Sequence, residues 1–472
     1  MVRKNLVAAM GILLSSSCAP SRTADVRKVK LPDAYAAAPD QQPLESIPWK
    51  DYFQDPQLVE LVTLAVKYNY DLRIALQRIE VARAGVRRAT GAWVPQVGLA
   101  TGVGVRKFGL YTMDGAGNAA TEIRPGQTVP VHLPDFYVGL QASWEVNLAG
   151  RMRHLQESAK ARYLATVEGA NLVITSLVAD VAVAYYELAA VDRSLEVVRQ
   201  TLVRQEEALE AMRVQKAAGL TNELAVQQFA GQLADTRALQ ARLKQQARTI
   251  ENQLNLLVGR LPQSIRRPDD ALTRDVEDPA PLGVPSDLLR NRPDIRAAEH
   301  RMRAAGWDVK AARAAFYPSI RITSGVGYQA FNPKFLFATP ASIAYSVAGG
   351  LVAPLVNRSA INAEFDSASA LQVQAMYEYQ SAVLEGFIDV ASSLATVEQV
   401  DEIVEHRTTQ LDALGETIAT ADLLFDAGQA SYLEVLTAQQ KALAAELELI
   451  EALKVQRLSR LLLYKAVGGG WR

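Results

Sequence analysis

The chain has one cysteine in 472 residues, at position 18, so no disulfide can join two of its own segments. Its formal net charge is −1, which argues against a nucleic-acid partner. The four histidines, His132, His154, His300 and His406, stand apart without ligand spacing, so no metal site is predicted. No Gly-rich phosphate loop follows a strand pattern, and no nucleophile elbow occurs. The chain is therefore predicted not to be an enzyme and to need no cofactor. Any ATP use belongs to a partner. No run of 18 consecutive apolar residues exists, so no membrane-spanning helix is predicted. Between Arg151 and Lys216 there is no proline and one glycine, Gly169.

What stands in that last gap is a helix of unusual length. Leu177, Val181, Ala184, Leu188, Val191, Leu195, Val198 and Leu202 are spaced alternately by four and three. That is a heptad seam. At 1.5 Å per residue the stretch reaches about 100 Å, too long for a compact domain, so it must pack along other helices. Ala218-Gly219-Leu220 is the predicted turn, with Gly219 suited to a left-handed cap. A return helix runs to Val258. A second long helix covers about 359–426, with its turn at Ala427-Gly428-Gln429 and its return to 466. Its seam holds Leu394, Val397, Val404 and Leu411, but Asp401 and Thr408 are polar. A polar seam residue fixes register or faces water.

The chain also repeats itself. Asp71, Arg73, Ala75, Arg78, Ala82, Val86, Ala89, Ala92, Pro95, Gly102, Val103 and Gly104 all recur 223 positions later, 12 identities in 34 positions. Two copies of one unit are predicted: residues 56–259 and 293–467, joined by a proline-rich crossover at 260–292 and followed by a tail at 468–472. In each copy an Ala- and Arg-rich helix stops at a proline, Pro95 or Pro318. After it the period switches to two. Strands are predicted at about 96–107, 135–147, 319–330 and 342–353. In the first, Val97, Leu99, Val103 and Val105 share one face, and Gly98, Ala100, Gly102 and Gly104 the other. The polar stretch from Phe108 to Pro134 reads as a long loop.

Arg3 and Lys4 precede an apolar run, Leu6–Leu14, then Ser15-Ser16-Ser17. Residues 1–17 are predicted to be a signal peptide. Cys18 directly follows and resembles the acylated cysteine of a bacterial lipobox, although Ser15 stands where that pattern prefers Leu. A lipid anchor on Cys18 is the one attached group expected. Residues 18–55 then form an extended arm.

Strands of about 11 residues that alternate apolar with small or polar suit a membrane barrel. Four of them cannot close one, and backbone groups in lipid must all be paired. Several chains must then share a barrel. The competing expectation is a soluble coiled-coil scaffold with its sheet packed on the apolar face.

Three stretches carry a resemblance to a known family. They are Pro285-Ser286-Asp287-Leu288-Leu289-Arg290-Asn291-Arg292-Pro293-Asp294-Ile295-Arg296-Ala297-Ala298-Glu299, Trp144-Glu145-Val146-Asn147-Leu148-Ala149-Gly150-Arg151, and Gly428-Gln429-Ala430-Ser431-Tyr432-Leu433-Glu434-Val435-Leu436. Together they resemble the TolC-like outer-membrane efflux-duct family, in the NodT-type lipoprotein branch that serves multidrug (RND-type) pumps. The resemblance implies an α+β membrane protein: a homotrimer whose transmembrane β-barrel takes four strands from each chain and continues as a coiled-coil α-helical barrel in the periplasm. It implies passive export of drugs and toxic solutes across the outer membrane. The implied partners are a periplasmic membrane-fusion adaptor, an inner-membrane efflux pump and outer-membrane lipid. Gly219, Leu220, Gly428 and Gln429 fall at the adaptor-contact tips, with Gln429 where the family often has Leu. Glu434 falls at the acid that narrows the closed tunnel, and Phe425 at an aromatic gate position. A one-step (type I) protein-secretion duct and a non-conducting envelope tether remain the alternatives.

Overall fold

The computed structural model describes residues 30–32, 44, 47–268, 270–272, 285–354, 356 and 358–471. The signal peptide and Cys18 lie outside the described residues. In chain order the elements are α1 (Trp49–Tyr52), α2 (Pro56–Tyr68), α3 (Tyr70–Gly91), β1 (Gln96–Arg106), α4 (Met113–Ala120), β2 (Glu122–Arg124), β3 (Gln127–Thr128), β4 (Leu133–Asn147), α5 (Arg151–Ala217) and α6 (Glu223–Val258). After them come α7 (Leu288–Asn291), α8 (Pro293–Ala314), β5 (Ser319–Ala330), β6 (Ile343–Val352), α9 (Ser359–Asp426) and α10 (Tyr432–Ala466). The helices α3 and α8 both have 22 residues. Pro293 follows Tyr70, and Ser319 follows Gln96, by the same 223 positions as the sequence identities.

The chain divides into two compact units. One contains residues 81–163 and 301–376. Its sheet is antiparallel throughout, in the order β1-β4-β5-β6. The expected loop between β1 and β4 is instead partly folded. Thr112 caps α4 by accepting from Gly115 N at 3.1 Å. Gly126, at φ 77°, turns the β2–β3 hairpin. Both signals are local and short, and the surrounding Gly and Thr masked them in the sequence. In the same unit, Phe316 and Phe365 meet edge to face at 6.0 Å, and the Trp144 indole donates to Trp93 O at 2.9 Å.

The other unit contains residues 27–80, 164–300 and 377–472. Its main core gathers the α5 seam with α2, α6, α9 and α10. Seven of the eight seam positions on α5 are buried and Leu195 is half-buried. One 18-residue window of α5 has mean hydropathy 1.6, enough by length and composition to cross a membrane, contrary to the expectation above. More than half of that window is buried in the core, which accounts for its apolar character without lipid. The arm is also less extended than expected. Leu44, Trp49 and Phe53 are buried in the same core, and Tyr464 Oη donates to Ile47 O at 2.6 Å. Among the described residues of the crossover, Arg267 binds Asp192 and Glu251, and Ile265, Ala271 and Leu272 are buried.

Candidate functional site

Among the described residues, the expected functional ones fall at two places in the fold, the sheet and the helical tips. The register sorts the sheet residues by face. On one row Leu99, Leu140, Val326 and Tyr345 are cross-strand partners, and on the next Val97, Ala142, Ser324 and Val347. The opposite face carries Ala100, Gly139, Gly327 and Ala344, then Gly98, Gln141, Gly325 and Ser346. One face is thus apolar and the other small or polar. In a soluble protein the apolar face would be the covered one. Here Leu99, Val103, Tyr345 and Val347 are all strongly exposed. Among the described residues, no strand pairs with the outer edge of β1 or of β6.

The two tips share one backbone geometry. At the first, Gly219 has φ 76° and donates to Lys216 O at 3.0 Å, while Leu220 N donates to Gln215 O at 2.9 Å. At the second, Gly428 has φ 70° and donates to Phe425 O at 2.9 Å, while Gln429 N donates to Leu424 O at 2.8 Å. Both are left-handed caps of the kind glycine favours. Leu220 is 78% exposed. Asn222 and Ser431 start the return helices.

The charges at the tips differ. Glu223 is bonded by Gln227 and by Lys216, and these two bonds hold its carboxyl below the usual range. No Lys or Arg occurs between Thr408 and Gln440, whereas Asp412, Glu416, Asp422, Asp426 and Glu434 do.

The two residues expected at the gate, Glu434 and Phe425, have plain structural work in the single chain. The Glu434 carboxylate accepts from Ser431 N at 2.6 Å, so it caps α10 while staying exposed. The signal for this was legible as Ser431-x-x-Glu434, a capping-box spacing. Phe425 is half-buried against Ala421, Val435 and Ala438. Nearby, Leu436, Phe229 and Met212 form a small core that joins the two hairpins. The polar seam residue Asp401 accepts from Arg460 at 3.0 Å and from Gln456 at 2.7 Å, so its seam position is an ion pair.

Sequence reasoning missed the work of Arg292. Its guanidinium donates to Asp294 at 2.6 Å, Asp389 at 3.0 Å and Ala466 O at 2.9 Å. It therefore clasps the end of α10 and the side of α9. Trp471 follows on the same spot, its indole donating to Asn291 O at 3.2 Å. The motif Asn291-Arg292-Pro293-Asp294 stood out in the sequence, but its partners lie far along the chain.

The family model described as outer membrane efflux protein matches residues 61–260 and 284–469. The cation efflux system protein CusC of Escherichia coli O6:H1 is 30% identical over 427 residues, spanning 90% of this chain and 88% of that protein. The toluene efflux pump outer membrane protein TtgI of Pseudomonas putida is 31% identical, spanning 89% and 87%. The open state of the Neisseria gonorrhoeae MtrE outer membrane channel superposes with a TM-score of 0.82 at 27% identity, covering 96% of this chain and 99% of that one.

Proposed function

Because the chain belongs to the outer membrane efflux protein family, we propose that three copies of it build one duct, a barrel in the outer membrane continued by a helical tunnel in the periplasm. The chain is the outer-membrane channel of an efflux system. What carries the trimer proposal is the sheet. It has four strands, two open edges and an exposed apolar face. An open edge in lipid leaves backbone groups unpaired, each at several kcal/mol, and single-chain barrels need about eight strands. Three sheets edge to edge satisfy every strand, and the sequence repeat at 223 positions suits cyclic assembly. The mass in mild detergent tests this: three copies per particle are expected. A particle of one copy that passes no ions across a planar bilayer would overturn it.

In this proposal the chain is anchored by lipid on Cys18 and conducts passively. A periplasmic adaptor docks at Gly219, Leu220, Gly428 and Gln429, and an inner-membrane pump supplies the energy. The shared cap geometry and the exposure of Leu220 support the docking site. Glu434 and Phe425 narrow the resting tunnel. Three Glu434 carboxylates around a threefold axis repel one another and attract cations, with no basic residue nearby in sequence to neutralise them. Glu434→Ala is expected to raise single-channel conductance, and unchanged conductance would remove the gating role. The relatives' names divide between cations and toluene at nearly equal identity. For this chain we take small organic solutes as the cargo. Seven methionines in the whole chain make a poor relay for soft metal ions. Deleting the gene should sensitise cells to organic toxicants, and unchanged sensitivity across a broad panel would favour a tether.

A further inference from the structure

The polar face of the sheet carries four charged side chains along its strands, and they are arranged as two opposite-sign pairs. At the β1 end, Arg106 and Asp135 approach to 3.9 Å, and Gln329 donates to Asp135 at 2.8 Å. At the other end, Glu145 and Arg321 are register partners and approach to 3.9 Å. The rows between hold only neutral residues. Gln96, Ser143, Thr323 and Ala348 form one row, and the last before Asp135 is Gly102, Tyr137 and Gln329. This face is concave, lining a cavity of about 900 Å³. Gly139 and Gly327 approach so closely that a Cβ on either would meet the other strand's backbone. Side chains are thus absent where β4 and β5 approach most closely on this face.

We propose that this face is a charge-compensated passage, which sorts solutes by size and not by the sign of their charge. The proposal rests on the barrel reading, in which the polar face lines the lumen. Each positive ring of the trimer has a negative ring within a few ångströms, well inside the screening length of about 8–10 Å in physiological salt. Beyond that distance the fields cancel. Neutral, zwitterionic and singly charged organic solutes of one size then meet the same barrier here. Any preference for cations then arises outside the sheet, as at the acidic second tip.

The test enters from outside, so the periplasmic gate does not affect it. Gln141→Cys is placed on the polar face, and intact trimers in outer-membrane vesicles are labelled with an anionic or a cationic methanethiosulfonate. Rates are corrected for each reagent's reaction with a free thiol, and the parent chain sets the blank. A lumen of one sign would favour the opposite reagent by roughly 10-fold or more. The expected ratio is close to one. Arg106→Gln leaves Asp135 uncompensated and should tilt the ratio toward the cationic reagent, and adding Asp135→Asn should return it. If Arg106→Gln disrupts the trimer, Glu145→Gln with and without Arg321→Gln asks the same question with the opposite tilt. A wild-type ratio of 10-fold or more, or no tilt in a folded single variant, overturns the proposal. Labelling of Leu99→Cys but not Gln141→Cys would instead mean that the faces are inverted, and the barrel reading itself would fall.

Discussion

The two long helices, α5 and α9, have nearly the same length, 67 and 68 residues, and the same heptad spacing, yet their surroundings differ. On α5 the seam is buried from Leu177 to Leu202 except for half-buried Leu195. On α9, shifted by 206 positions, Val397 is buried, Leu394, Val404 and Leu411 are half-buried, and Asp401 and Thr408 are exposed. Ala182 is fully buried, while its counterpart Ile388 is 50% exposed. Leu371, Tyr377, Leu384 and Ile403 are exposed along the same helix. A heptad seam says that a helix must be covered. It does not say whether its own chain or a neighbour does the covering. The first helix has its seam covered within the chain, while the second leaves more of its apolar surface open, as the proposed trimer would need.

The largest expected effect tests that difference directly. Ile388→Asp puts a charge where the proposed neighbour packs, three times per trimer. The chain should stay folded by circular dichroism while the detergent particle falls to one copy. A persistent trimer would mean that α9 is exposed in the assembly too. Next comes Leu188→Ala, on the closed helix. Leu188 is fully buried, and its truncation should cost about 2–5 kcal/mol in chemical denaturation, whatever the oligomeric state. The third is smaller. Asp401→Leu restores an apolar residue to the α9 seam but strips Arg460, whose side chain is 9% exposed, of its carboxylate. Since Asp401 itself is half in water, a loss of about 1–3 kcal/mol is expected. Asp401→Leu with Arg460→Leu should recover most of it. A neutral single variant would mean that the polar seam position serves water and not register.

What the sequence reveals follows from how local each signal is. The α5 seam, the proline stops and the period-two runs are all written within a few residues, and each appears in the structure as a helix, a helix end or a strand. The capping box at Ser431 and Glu434 was equally local, but a functional expectation for Glu434 obscured it. The burial of Leu44 was not legible, because a Pro-, Asp- and Ala-rich arm gives no periodicity to read. Nor was the Arg292 clasp, since Asp389 and Ala466 lie 97 and 174 positions away and no pattern links them. Which face of α9 lies open depends on neighbours that one chain does not contain.

The smallest expected effect separates the starts of the two helices by pH. His154 is the fourth residue of α5, and Asn362 is the fourth of α9. The His154 ring stacks on Trp307 at 5.5 Å, Lys310 Nζ lies 3.9 Å from the centroid of Trp307, and His154 Nδ1 is buried without a hydrogen-bond partner. Burial first, then Lys310 and Arg153, lowers the pKa of the imidazole. The unfolded chain therefore takes up a proton at higher pH than the folded one. The stability of the neutral, stacked form is present above the ordinary histidine pKa of about 6.5 and is lost as the pH falls through it. Asn362 carries no charge at any pH in this range. Between about pH 7.5 and 5, hydrogen exchange should quicken in the first turns of α5 relative to those of α9, and His154→Asn should abolish the difference. Equal quickening at both starts would trace the effect to carboxylates common to the two, such as the ion pair of Arg151 with Glu364, and the asymmetry of the two helices would then end at their covered faces.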